Sequence, residues 1–177
     1  MTSIARIGVF AALALGINFP FLAIPNVEVI SVTLFLSGLF LGFKHGTMSA
    51  IIAGIIFVFF NPNGPQPVII VGIAQVMGFV TFPIAGGLLR NVMLTKRTVQ
   101  TNVILMSVLG LILTLWYDIL TNLAFAVTIG PFWIVLWGGL SFAVAHIISN
   151  SIIFGFTGAF IHKIWKRLEH SLPPLAS

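Results

Sequence analysis

The sequence predicts an all-α integral membrane protein, a bundle of six transmembrane helices with both termini in the cytoplasm. Three observations carry that prediction. Of 177 residues, 59% are hydrophobic and only 6% charged, too few to build the solvated surface of a water-soluble domain. Apolar runs recur along nearly the whole length, broken by Pro, Gly, Asn and charge. The eight Lys and Arg, which give a net charge of +5, fall in alternate connections as membrane-orienting charges do, so a nucleic-acid partner is not expected. With no cysteine there are no disulfides and no thiolate metal sites.

The six apolar segments are read at 3–22, 30–43, 46–60, 68–89, 101–128 and 132–162 of a single membrane domain spanning 1–177, with a cytoplasmic tail over 163–177. The first follows Arg6 like a secretory signal, but it ends at Asn18-Phe19-Pro20 without a small-residue cleavage site and is kept as a membrane helix. The second and third are shorter than the ~20 residues of a usual span. Only a tight turn at Lys44-His45-Gly46 is expected between them, so they are either two short spans or a re-entrant hairpin. Charge favours two spans. Six crossings put Arg6, Lys44, Arg90, Lys96, Arg97, Lys163, Lys166 and Arg167 on one side, while the opposite loops 22–29, 61–67 and 129–131 hold only Glu28. The positive-inside rule makes the basic side cytoplasmic. Past Phe160 the last helix can continue to Leu168, with Trp165 and its cations at the interface.

The remaining acidic residue, Glu169, belongs to the tail, so Asp118 is the one carboxylate expected deep in the bilayer, about 15 Å below the outer end of its helix. An ionisable group there is costly and must face a partner or a cavity. Thr114, Thr121 and Asn122 stand three or four residues from it, a polar stripe that reads as a cavity wall. Helical rise puts Gln75 and Ser141 at about 12 and 14 Å, near the same level, with Trp137 and Trp133 continuing above Ser141. Trp116 and Tyr117 flank Asp118 and cannot both share its face. His146 and Asn150, at about 21 and 27 Å, read as interhelical hydrogen-bonding groups below the pocket, with no ligand set for a metal. In the outer loops Asn26 and Glu28 offer acceptors, and Asn61 to Pro67 carries three prolines that stiffen it into a shaped lid. The small residues Gly8, Ala12 and Gly16 permit close helix approach, inside the chain or to a partner.

Six short spans, the Ala11-to-Leu15 run, the Pro25-Asn26-Val27-Glu28 loop, and the Asn61-to-Pro67 loop together resemble an S component, the substrate-binding subunit of an energy-coupling factor (ECF) transporter. The resemblance covers nearly the whole chain. It implies a prokaryotic plasma-membrane subunit that takes up a vitamin or related micronutrient and works with a transmembrane coupling protein and two cytoplasmic ATPases. It also implies that the coupling protein docks on the first helix, where the family's Ala-x-x-x-Ala pattern is matched by Gly8, Ala12 and Gly16. The chain has no phosphate-binding loop of its own, no expected cofactor and no expected enzymatic activity. The substrate pocket is expected from Asp118, Asn122, Gln75, Trp137, Ser141, Asn26 and Glu28, and the ligand to be a flat ring bearing hydrogen-bond donors. The rival readings are a proton-coupled secondary transporter and an intramembrane enzyme built on Asp118 and His146.

Overall fold

The computed structural model describes residues 3–93 and 98–168. Their helices are α1 (Ser3–Asn18), continued by a 3-10 turn (Phe19–Ala23), α2 (Ile30–Leu41), α3 (Phe43–Phe59), α4 (Ile69–Leu88), the single-turn α5 (Arg90–Met93), α6 (Val99–Ile129) and α7 (Phe132–Leu168). Among the described residues there is no strand. Four stretches are long and apolar enough to cross a membrane: Ser3–Ala23, Ile69–Leu88, Val99–Thr128 and Phe132–Lys163. Lys96, Arg97, Glu169 and the residues after it lie outside the described residues.

The short α2 is the most enclosed element, because helices meet it on every side. Ile30, Leu34, Phe35 and Leu39 are fully buried, and Phe35 meets Phe154 of α7 edge to face at 5.6 Å. Its hydroxyls are satisfied locally: Thr33 donates to the Val29 carbonyl at 2.7 Å and Ser37 to the Leu34 carbonyl at 2.6 Å. That back-bonding lets polar side chains sit in a core without an orphaned group.

Two features differ from the sequence reading. The break between α2 and α3 is Gly42, at φ +81°, and Lys44-His45-Gly46 form the first turn of α3. Only glycine takes that conformation without strain, which is why the chain turns there and not at the charge. Gly46 is instead a crossing point, where an added Cβ would lie 2.7 Å from Gly38 Cα and 2.9 Å from the Pro83 ring. Pro83 lies inside α4, and the single-turn α5 forms in what reads from sequence as a basic loop.

Contacts fix the helix directions. Ser49 of α3 donates to the Ile7 carbonyl of α1 at 3.1 Å, Gly38 abuts Pro83, and Gly87 abuts Phe43. The start of α1, the α2–α3 break and the end of α4 therefore share one end of the bundle. Arg6, Lys44 and Arg90 are at that end, as is Lys163 near the far end of α7.

Candidate functional site

The α6–α7 hairpin sets the register of the polar residues. An added Cβ at Gly110 would lie 2.8 Å from the Phe154 side chain, Asn150 Nδ2 donates to Thr114 Oγ1 at 3.0 Å, and His146 Nδ1 lies 2.8 Å from Asp118 Oδ1. One turn up α6 meets one turn down α7 at each step, so the two stripes face each other.

Glu28 completes the cluster from the connection between α1 and α2. Asn18, buried at the end of α1, accepts the Val29 and Ile30 amides on its Oδ1 at 2.9 and 3.3 Å. It thus caps donors that the start of α2 would otherwise leave free. Asn26 turns the chain at φ +60°, a conformation Asn tolerates better than most residues, and its carbonyl accepts from Ser149 Oγ at 2.5 Å. Glu28 then meets α7. Its Oε1 accepts from Asn150 Nδ2 at 2.9 Å and from Ser31 Oγ, and stands 3.3 Å from His146 Nε2.

His146 is held between two carboxylates. Its Nδ1–H donates to Asp118. Nε2 donates to Glu28 when it carries a hydrogen and accepts from Asn150 Nδ2, 3.2 Å away, when it does not. Burial raises the pKa of the Glu28 carboxyl, but the hydrogen bond and attraction of His146, with the hydrogen bonds of Ser31 and Asn150, outweigh it and leave it below the ordinary value. Tyr117 walls the cluster toward α4, with its ring 5.9 Å from His146 and 5.1 Å from Phe79. The three ionisable side chains are not sealed: Asp118 and His146 keep 13% exposure and Glu28 keeps 15%.

The sequence-predicted residues divide into two groups. Asp118 and Glu28 are at the centre, and Asn26 joins through its backbone. Gln75 hydrogen-bonds Tyr117 and so borders the cluster from α4. Asn122 sits one turn above Asp118, its Nδ2 donating to the Asp118 carbonyl at 2.7 Å, and its Oδ1 would lie 3.3 Å from a Cβ added at Gly139. Trp137 and Ser141 are not brought to it. Both are exposed, Trp137 by 69%. At 3.6 residues per turn they point roughly 180° and 140° away from His146 around α7. Of the pair flanking Asp118, Tyr117 is buried and Trp116 faces out. Among the described residues no group of three or more His, Cys, Asp or Glu is placed to hold a metal ion.

Sequence reasoning placed His146 and Asn150 below the site and missed Asn18 and Ser149. Depth counted from each helix's own end put Asp118 and His146 about 6 Å apart along the membrane normal. The usable signal is the pairing of two i, i+4 polar pairs across the hairpin turn at Gly130-Pro131, Thr114 with Asp118 on one side and His146 with Asn150 on the other.

Gly8, Ala12 and Gly16 are exposed on α1, and a Cβ added at Gly8 or Gly16 would have nothing within 4 Å. The buried face of α1 is Ile7, Ala11, Ala14, Leu15 and Asn18, so packing among the described residues does not use the small-residue stripe.

Among the described residues, fold and site define an all-helical bundle with helices suited to a membrane and a recessed carboxylate and imidazole cluster. Comparisons with family models, with curated proteins and with solved structures give no match.

Proposed function

We propose that this chain is an S component of an ECF transporter: a six-span, prokaryotic plasma-membrane subunit, both termini cytoplasmic, that captures a micronutrient from the outer side. The observation that carries this reading is the depth and openness of the Glu28–His146–Asp118 cluster. Val71 and Ala74 of α4 pack with Ala124 of α6, six residues above Asp118, so the cluster lies about 9 Å below the first turns of α4. The cluster keeps some accessible surface at each ionisable side chain and is bordered by a loop, three helices and an aromatic ring, which suits a binding wall. Asp118, Glu28, Asn122, Gln75 and the Asn26 connection form the binding wall in this reading, with His146 as its centre. Trp137 and Ser141 are not part of it. Gly8, Ala12 and Gly16 form the docking face for the coupling protein, and the partner ATPases supply the energy.

A proton-coupled transporter is the second reading, favoured by an imidazole placed between two carboxylates. An intramembrane enzyme is less well supported, because two hydroxyls of the cluster are committed as donors: Ser31 to Glu28, and Ser149 to backbone carbonyls. The test is binding of a vitamin panel by the purified chain, read by tryptophan fluorescence, followed by uptake in cells with and without the ATPase module. Saturable binding and ATPase-dependent uptake are expected. Uptake that needs only a proton gradient would overturn the S-component reading in favour of the second.

A further inference from the structure

The charges and unused hydrogen-bonding groups of this cluster select the kind of ligand it takes. On the reading that the cluster is the binding site, we infer that its ligand is a small organic cation, a protonated amine or a positively charged heteroaromatic ring bearing N–H donors. Three observations lead there.

The first is net charge. With Asp118 and Glu28 ionised, the cluster carries −1 if His146 is doubly protonated and −2 if it is neutral. Positive charge is lacking in either state.

The second is the surplus of acceptors. Asn150 is fully buried and its Nδ2, with two hydrogens, donates to Glu28 Oε1 and Thr114 Oγ1, with His146 Nε2 as a third acceptor when that nitrogen carries no hydrogen. Its own Oδ1 is buried without a partner, and so is Asp118 Oδ2. These two orphaned atoms, inside the cluster, are acceptors, while Asn18 Nδ2, behind the Glu28 connection, is a buried donor without a partner. A buried acceptor left unsatisfied is costly, and what satisfies two of them beside a negative cluster is a ligand that brings donors. A ligand bringing a carboxylate or phosphate would add acceptors to a site already short of donors.

The third is where the cations of the chain are. Arg6, Lys44, Arg90 and Lys163 are all at the other end of the bundle, roughly 20 Å from the cluster by helical rise. Among the described residues no Lys or Arg is available to neutralise an anionic ligand group. The aromatic surface at the cluster, Tyr117, suits a cationic ring as well as a neutral one.

The experiment titrates the purified full chain with micronutrients of three charge classes: thiamine and 1-methylnicotinamide as cations, nicotinamide and riboflavin as neutral rings, nicotinate and pantothenate as anions. NaCl and KCl are titrated alone in parallel. The tightest binder is expected to be a cation, and Asp118→Asn is expected to weaken it by about 10-fold or more, while any neutral ring that binds loses less. Glu28→Gln serves as the second variant and is expected to change selectivity in the same direction. A tightest binder that is neutral or anionic overturns the inference and leaves the binding-subunit reading standing. Saturable stabilisation by Na⁺ or K⁺ that displaces the organic probe also overturns it, by making the site one for an inorganic cation. No binding by any class strikes the binding-subunit reading itself, and the inference falls with it.

Discussion

At the scale of single residues, the cluster depends on how one loop carboxylate is held. Glu28 is presented by Asn18, which caps the following backbone amides, and is received by Ser31, Asn150 and His146. Because its pKa is lowered on folding, the stability it contributes is present above the ordinary carboxylate value of about 4.3 and is lost as pH falls through the folded value. Melting temperatures of the wild type and Glu28→Gln in detergent are expected to differ at pH 7 and to converge as acidification carries the pH below the lowered folded value; an unchanged gap throughout would mean that the carboxylate's charge does not stabilise the fold. Asp118 was legible in the sequence, because an intramembrane carboxylate on a polar stripe is costly enough to stand out. Its bond to His146 was obscured by the depth counting, and the role of Asn18 by its position at the end of an apolar run. An Asn beside Phe and Pro reads as a helix stop, and nothing local shows that its side chain holds a backbone amide eleven residues further along the chain.

At the scale of elements, glycine sorts the helices into packed and open faces. A Cβ added at Gly86 would lie 2.1 Å from the Phe35 carbonyl oxygen, and one at Gly38 1.9 Å from that of Pro83, so α2 and α4 touch backbone to backbone. Gly86→Ala is expected to cost about 1–3 kcal/mol through overpacking, read as a lower melting temperature. Gly8→Leu meets open space and is expected to leave melting unchanged, and on the proposed reading to abolish co-purification with an ATPase module, since bulk blocks close helix approach. Retained co-purification would remove the stripe from the docking face. Helix positions were readable because hydrophobic runs and breakers are local signals. The choice of Gly42 over Lys44-His45-Gly46 as the turn was not, since all are turn-compatible in isolation. The difference lies in Gly46 being needed where α3 crosses Gly38 and Pro83.

At the scale of the whole molecule, one end of the bundle gathers the described Lys and Arg and the other holds the polar cluster. With the basic end cytoplasmic, a cysteine introduced at Asn63 is expected to react with a membrane-impermeant reagent from outside only; labelling from the cytoplasmic side alone would invert the orientation. On the proposed reading the cluster at Asp118 binds a ligand and is more than an interhelical bond. A paired measurement on purified wild type and Asp118→Asn, ligand titration and thermal melting on the same samples, tests it most directly. Loss of a charge-assisted hydrogen bond of roughly 1.5–3 kcal/mol weakens binding by about 10- to 150-fold. Asn can still accept from His146 Nδ1–H, so folding is expected to suffer less than binding. Wild-type affinity together with a lowered melting temperature would contradict the claim and make Asp118 a structural residue.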